Sequence, residues 1–158
     1  MSIHPIKFTE TLDHFDLEQI ANSGQCFRMK KLPEKSIKTI FPDSGTARGF
    51  SLISGHHYGE AYQDQNTLVL LCAPHDEDFW KKYLDLETDY GVLAASADPK
   101  DDYLSRAVSY GHGIRILYQD PWEMIITFVI SQQKTIPKIS EAVEALSKNY
   151  GDPVPDFE

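Results

Sequence analysis

The sequence predicts an α+β chain, an antiparallel sheet followed by helices. Three observations predict it. Up to about residue 73, about five short strand-like segments, two of them alternating polar and apolar, are joined by polar turns. From Asp76 the period becomes helical. Past Asp120, two further segments read as helices, the first with a capped start and the second ended by Gly151.

The elements follow in chain order. "KFTETL" (7–12) alternates polar and apolar and reads as a strand. "DLEQIANSG" (16–24) reads as one or two helical turns, with Asp16 as N-cap and Gly24 just past the end. "QCFRMKKL" (25–32) alternates again, with Cys26, Arg28 and Lys30 on one face and Phe27 and Met29 on the other. "LPEKSIKTIFPDSGTA" (32–47) holds two prolines and a glycine, so a loop with a short strand is expected. "RGFSLISG", "HHYGEAYQDQ" and "NTLVLLCA" then read as three strands, and their short polar connections predict antiparallel hairpins.

In "DEDFWKKYLDL" (76–86), Asp76 is the expected N-cap, and Phe79, Trp80, Tyr83 and Leu84 fall at helical spacing. "TDYGVLAASA" and "DDYLSRAVSYG" read as short helices, the second ending at Gly111, and "GIRILYQDP" as an extended linker. Asp120, Pro121 and Glu123 then form a helix start of capping-box type. The run "WEMIITFVIS" is apolar almost all round, so this helix is expected to be central and buried. A last helix starts near Thr135. It carries a stripe of Ile136, Ile139, Val143, Leu146 and Tyr150 and ends at Gly151. Only "DPVPDFE" follows, so the chain is expected to lack a further helical part.

Composition narrows the class. No apolar stretch of 18 residues is free of charge, so no membrane span is expected. The start "MSIHPIKFTETLDHF" has no basic region followed by an apolar block and does not read as a signal peptide. Cys26 and Cys72 stand alone, which fits structural thiols in a reducing cytoplasm. The net charge is −9, and a phosphate-binding surface normally needs the opposite sign. The charge is uneven: residues 1–60 hold seven Lys/Arg and seven Asp/Glu, whereas residues 61–158 hold eight and seventeen. Arg28, Lys30, Lys31, Lys35 and Lys38 form the one basic cluster, which a solvated strand and loop explain.

The sequence contains no GxSxG, P-loop, CxxC or HExxH. His56 and His57 are neighbours on a strand and point to opposite faces, so no metal site is expected there. Asp101 and Asp102 suit a helix start. No catalytic constellation, cofactor or metal follows from composition and spacing.

Two stretches remain. In "NSGQCFRM", a C-cap accounts for Gly24, while a glycine also lets a ligand approach the backbone closely. In "SQQKT", Gln132 and Gln133 are good helix formers that the turn itself does not demand. They either cap the helix ends or offer amides, which carry donors and an acceptor and can imitate a base edge. Lys134 and Lys138 then lie within reach of phosphates or a base. Spacing alone leaves both readings open.

Taken together, "SGQCFRM", then "GIRILYQDPWEMIITFVISQQKTIPKI", then a helix ending in "NYG" resemble the first half of an 8-oxoguanine DNA glycosylase. The resemblance covers nearly the whole chain. It implies an antiparallel sheet domain similar to half of the TATA-binding protein, over residues 1–115, and the first helices of an incomplete all-α glycosylase domain of helix-hairpin-helix type, over 116–158. It implies that the backbone carbonyl of Gly24 reads the proton on N7 that oxidised guanine has and guanine lacks. It implies that Gln132, Gln133, Lys134 and Thr135 fill the gap left by an extruded base and contact the widowed cytosine, with Lys138 one helical turn later. Asparagine is common in that turn in eukaryotic members, so Gln133 is a departure that keeps the amide.

The implied partner is damaged double-stranded DNA, bound by the full-length protein, and the implied setting is the cytoplasm. The family's nucleophilic lysine, its Gly-rich hairpin and its later aspartate have no counterpart here, so the chain alone is expected to be inactive, with no catalytic residue. Two alternatives stand beside this reading: a 3-methyladenine-type glycosylase, and a non-catalytic module that binds DNA or a protein.

Overall fold

A computed structural model describes residues 4–154 and 157. Residues 1–3, 155, 156 and 158 lie outside the described residues, and with them parts of the start and of the "DPVPDFE" ending read above. Five strands form one antiparallel sheet in the order β1-β5-β4-β3-β2. They are β1 (Ile6–Thr11), β2 (Met29–Lys31), β3 (Arg48–Ser54), β4 (His57–Asp64) and β5 (Thr67–Cys72). Ser54 pairs with His57 and Asp64 with Thr67, so β3–β4 and β4–β5 are hairpins with two-residue loops.

The main core lies between one sheet face and the helices α1 (Leu17–Asn22) and α3 (Glu77–Tyr83). Leu17, Ile20 and Trp80 are fully covered there, against Leu52, Leu68 and Leu70 of the sheet. The prediction of an α+β fold with an antiparallel sheet is met, and α4 (Tyr90–Ala95) and α5 (Asp102–Tyr110) form where helical spacing places them.

Four expectations are corrected. The segment read as loop and strand contains helix α2 (Glu34–Ile40). Pro33 stands at its N-cap and Pro42 just past Phe41, so the prolines bound the helix rather than break it. Glu34 and Lys38 pair at 2.7 Å one turn apart, and Ile37 packs with Tyr62 and Val69 on the second sheet face. In "QCFRMKKL", only residues 29–31 become strand, because β2 is an edge that pairs with β3 alone. Asp76 stands at the N-cap of α3 as expected, but its side chain makes no capping bond. A buried carboxylate needs a partner, and its Oδ1 meets His57 Nδ1 at 2.9 Å.

The fourth correction concerns α6 (Pro121–Ser131), which is not buried. Trp122 and Phe128 are each 68% exposed, and Met124, Ile125 and Val129 are exposed as well. The helix packs with α7 (Ile136–Tyr150) and its Glu123 reaches the sheet, but these apolar side chains stay exposed. The stripe on α7 is likewise half used, with Ile139 and Val143 buried and Ile136 and Tyr150 exposed.

Candidate nucleic-acid interface

The first part of the site is the turn after α1. Asp16 caps this helix, its Oδ1 accepting from Gln19 N at 2.9 Å. At the other end the Ser23 hydroxyl donates to Ile20 O at 2.7 Å. Gly24 then turns the chain with φ +80, a backbone conformation that side chains resist. The sequence placed glycine where the geometry requires it.

The linker 112–118 holds this turn from behind. Gly113, at φ +89, accepts from Asp16 N at 2.9 Å, and a Cβ there would fall 2.7 Å from that same nitrogen. Gln25 bonds to the backbone of Arg115 and Leu117. Arg115 is buried, and its guanidinium donates to the carbonyls of Asp85, Thr88 and Asp13. Burial lowers its pKa from the ordinary arginine value.

The second part is the α6–α7 turn. Asp120 caps α6, its Oδ1 accepting from Glu123 N at 2.9 Å. The expected capping box stops there, because the Glu123 carboxylate reaches across to the sheet instead. It accepts from Arg28 Nη1 at 3.1 Å, from Gly55 N at 3.0 Å and from Ser54 Oγ at 3.3 Å. A second ion pair, Lys30 to Glu144 at 2.7 Å, joins β2 to α7. Between these ties lies a cavity of about 240 Å³, walled by Cys26, Phe27 and Arg28 on one side and by Trp122, Ile126 and Val143 on the other.

At the far end of α6, Gln132 is the C-cap and its Nε2 donates to Phe128 O at 3.2 Å. That amide therefore serves the helix end. Gln133 follows with φ +57, a left-handed position that glycine or asparagine holds more easily. Gln133, Lys134, Thr135 and Lys138 share one open concavity with Glu141. The Lys138 ammonium rests on Glu141 at 2.7 Å, a contact that raises its pKa.

The two parts meet. A Cβ built on Gly24 would stand 3.6 Å from Ile136 Cδ1, the residue that opens α7 directly after the turn. Gly24 therefore lies against the segment that carries Gln133, Lys134 and Lys138. More than a hundred residues separate Gly24 from Gln133 in sequence, and the Arg28–Glu123 pair bridges the segment after the first part and the helix before the second. Sequence reasoning missed Gln25, Arg115 and the reach of Glu123. A signal for Arg115 existed, since a lone arginine inside the apolar run "GIRIL" belongs to a segment that packs.

Both thiols sit where burial favours the protonated form. Burial, above all, raises the Cys26 pKa, and the thiol accepts from the Tyr83 hydroxyl at 3.2 Å. Burial pushes Cys72 up to about 11. Both cysteines are free.

The model of the 8-oxoguanine DNA glycosylase N-terminal domain family matches residues 7–125. The chain belongs to this family.

The family's relatives agree in fold. The solved structure of MBOgg1 in complex with a low affinity DNA ligand superposes with a TM-score of 0.80 at 29% identity, covering 99% of this chain and 52% of that one. The Clostridium acetobutylicum 8-oxoguanine glycosylase/lyase, in complex with double-stranded DNA containing cytosine opposite 8-oxoguanine, superposes at 0.77 with 25% identity over 99% and 52%. Its apo form superposes at 0.72 with 26% identity over 99% and 54%. A Saccharomyces cerevisiae N-glycosylase/DNA lyase is 42% identical over 40 residues, which are 25% of this chain and 11% of that protein. The chain thus spans about half the length of the solved structures it matches.

Proposed function

We propose that this chain is the lesion-recognition part of a base-excision-repair DNA glycosylase with AP lyase activity, acting on 8-oxoguanine extruded from duplex DNA in the cytoplasm. The observation that carries the reading is the contact between the Gly24 turn and the start of α7. A carbonyl that reads the N7 proton and an amide that fills the gap must face one displaced base and the hole it leaves. Adjoining positions on one surface meet that requirement.

Extruding a base costs a few kcal/mol and leaves its partner without hydrogen bonds. Gln133 sits on a short turn between two helices and brings an amide with both donor and acceptor to that partner. Lys134 and Lys138 add cations for the backbone phosphates or the cytosine. The division near residue 115 is part of this reading: sheet and helices before it, glycosylase helices after it.

The test is binding of the chain to three duplexes, bearing 8-oxoguanine, guanine or an abasic site opposite cytosine. Tighter binding to the first and third than to the second is expected, with no free base released in a gel assay. Equal affinity for all three, or excision by the chain alone, overturns the reading.

A further inference from the structure

Gln25 stands directly after Gly24, and its side chain is engaged almost wholly with backbone. Its Nε2 donates to Arg115 O at 2.9 Å, and its Oε1 accepts from Leu117 N at 3.1 Å. Nε2 also donates to Ser23 Oγ at 3.1 Å. Residues 115 and 117 are alternate positions of an extended segment, so their carbonyl and N–H point the same way. A carboxamide presents one donor and one acceptor side by side, and pairs with that edge as a neighbouring strand would.

The edge is itself fixed. The Arg115 guanidinium donates to Asp85 O at 2.6 Å and Thr88 O at 3.1 Å, and lies over the ring of Tyr90. Tyr118 N donates to Tyr83 O at 2.9 Å, which ties the same segment to α3. Gly24 has no side chain to hold it, and a Cβ built there would stand 3.6 Å from Ile136 Cδ1. Its carbonyl belongs to the peptide unit that ends at the Gln25 Cα, so whatever fixes Gln25 aims that carbonyl.

We infer that Gln25 is the positioning residue for the Gly24 carbonyl: its carboxamide fastens the peptide unit between residues 24 and 25 to the Arg115–Leu117 edge. The inference deepens the proposed function, and only the purpose of the aim rests on that function.

Gln25→Glu tests it on the whole chain. The variant is isosteric, but at neutral pH it sets a carboxylate oxygen against the Arg115 carbonyl, and two acceptors repel. Protonation restores an O–H donor, so the wild-type pairing returns in acid. In amide NMR spectra, the Gly24 and Leu117 signals of Gln25→Glu should be displaced near pH 7 and return toward wild-type positions as the pH falls through about 5. The wild type, run alongside, shows no such return. The preference for 8-oxoguanine over guanine duplex should fall about tenfold near pH 7 and recover over the same range.

Gln25→Met keeps the bulk without donor or acceptor, and should displace Gly24 at every pH. A Gly24 signal unmoved in both variants overturns the inference, as does a displacement in Gln25→Glu that acid does not reverse. Acid-reversible displacement of Gly24, in a chain whose wild type shows no preference between duplexes, supports the Gln25 role and overturns the proposed function.

Discussion

Gly24 and Ile136 are neighbours: the space beside the Gly24 Cα is filled, at ordinary contact distance, by the side chain that opens α7. A methyl group at position 24 therefore meets no clash, and the cost of substitution lies in the backbone at φ +80. Gly24→Ala should lose about 1–2 kcal/mol in urea unfolding, and Gly24→Asn less, because asparagine tolerates that region. Both should reduce the preference for 8-oxoguanine over guanine, read by fluorescence anisotropy. Full stability in Gly24→Ala would place the turn in another conformation.

Gln133 carries the opposite trade. Its φ of +57 costs stability that glycine would return. Gln133→Gly should raise the melting temperature while weakening binding to an abasic site opposite cytosine. Gln133→Ala should weaken that binding by about 1–3 kcal/mol without the gain in stability. A variant at 133 that keeps full affinity for the abasic duplex removes the amide from the recognition scheme.

Glu123 gathers three donors from two places, Arg28 and the Ser54–Gly55 turn, and its side chain and that of Arg28 are 29% and 24% exposed. Glu123→Ala leaves Arg28, Gly55 N and Ser54 Oγ without that partner and should cost about 1–3 kcal/mol. Ser131, the last residue of α6, lies about 12 Å from Glu123 along the helix at about 1.5 Å per residue, so a small tilt at Glu123 displaces the turn that follows. Hydrogen exchange in residues 121–136 should rise in Glu123→Ala and less in Glu123→Gln. Exchange confined to the wild-type rate would show that α6 is held by other contacts.

Cys72 gives a pH dependence. Its folded pKa is raised to about 11 from 9.0, chiefly by burial, so the folded state holds the thiol proton more tightly. That contribution is fully present below pH 9 and is lost as the pH rises through about 11. Unfolding free energy should decline across this alkaline window, and Cys72→Ala should flatten the decline. A profile identical in both would assign the loss to other groups, such as the buried Tyr83, whose pKa burial also raises.

The hairpins, α1, α3 and α7 were legible because their signals are local: period-two runs, caps and a terminal glycine at 151. Gly24 was legible as the end of α1, which placed it correctly before any role was considered. Helix α2 was not, because prolines at its two boundaries look like breakers until the register between them is read. Gln25, Arg115 and Glu123 were hidden for another reason. Each acts on residues about 30 to 100 positions away, and no periodicity records such a partner. The exposure of α6 was illegible because hydrophobicity states that a surface seeks cover, not what covers it.

That open face has a practical meaning at the bench. Trp122, Met124, Ile125, Phe128 and Val129 present an oily ridge to water, and such ridges adhere to whatever apolar matter is nearby. An environment-sensitive dye should bind the native chain before any heating, so a dye-monitored melt would begin bright. Sedimentation should vary with loading concentration, and the apparent resistance to denaturant with it. Trp122 offers a built-in reporter: its emission should move to the blue once something dry settles on the ridge.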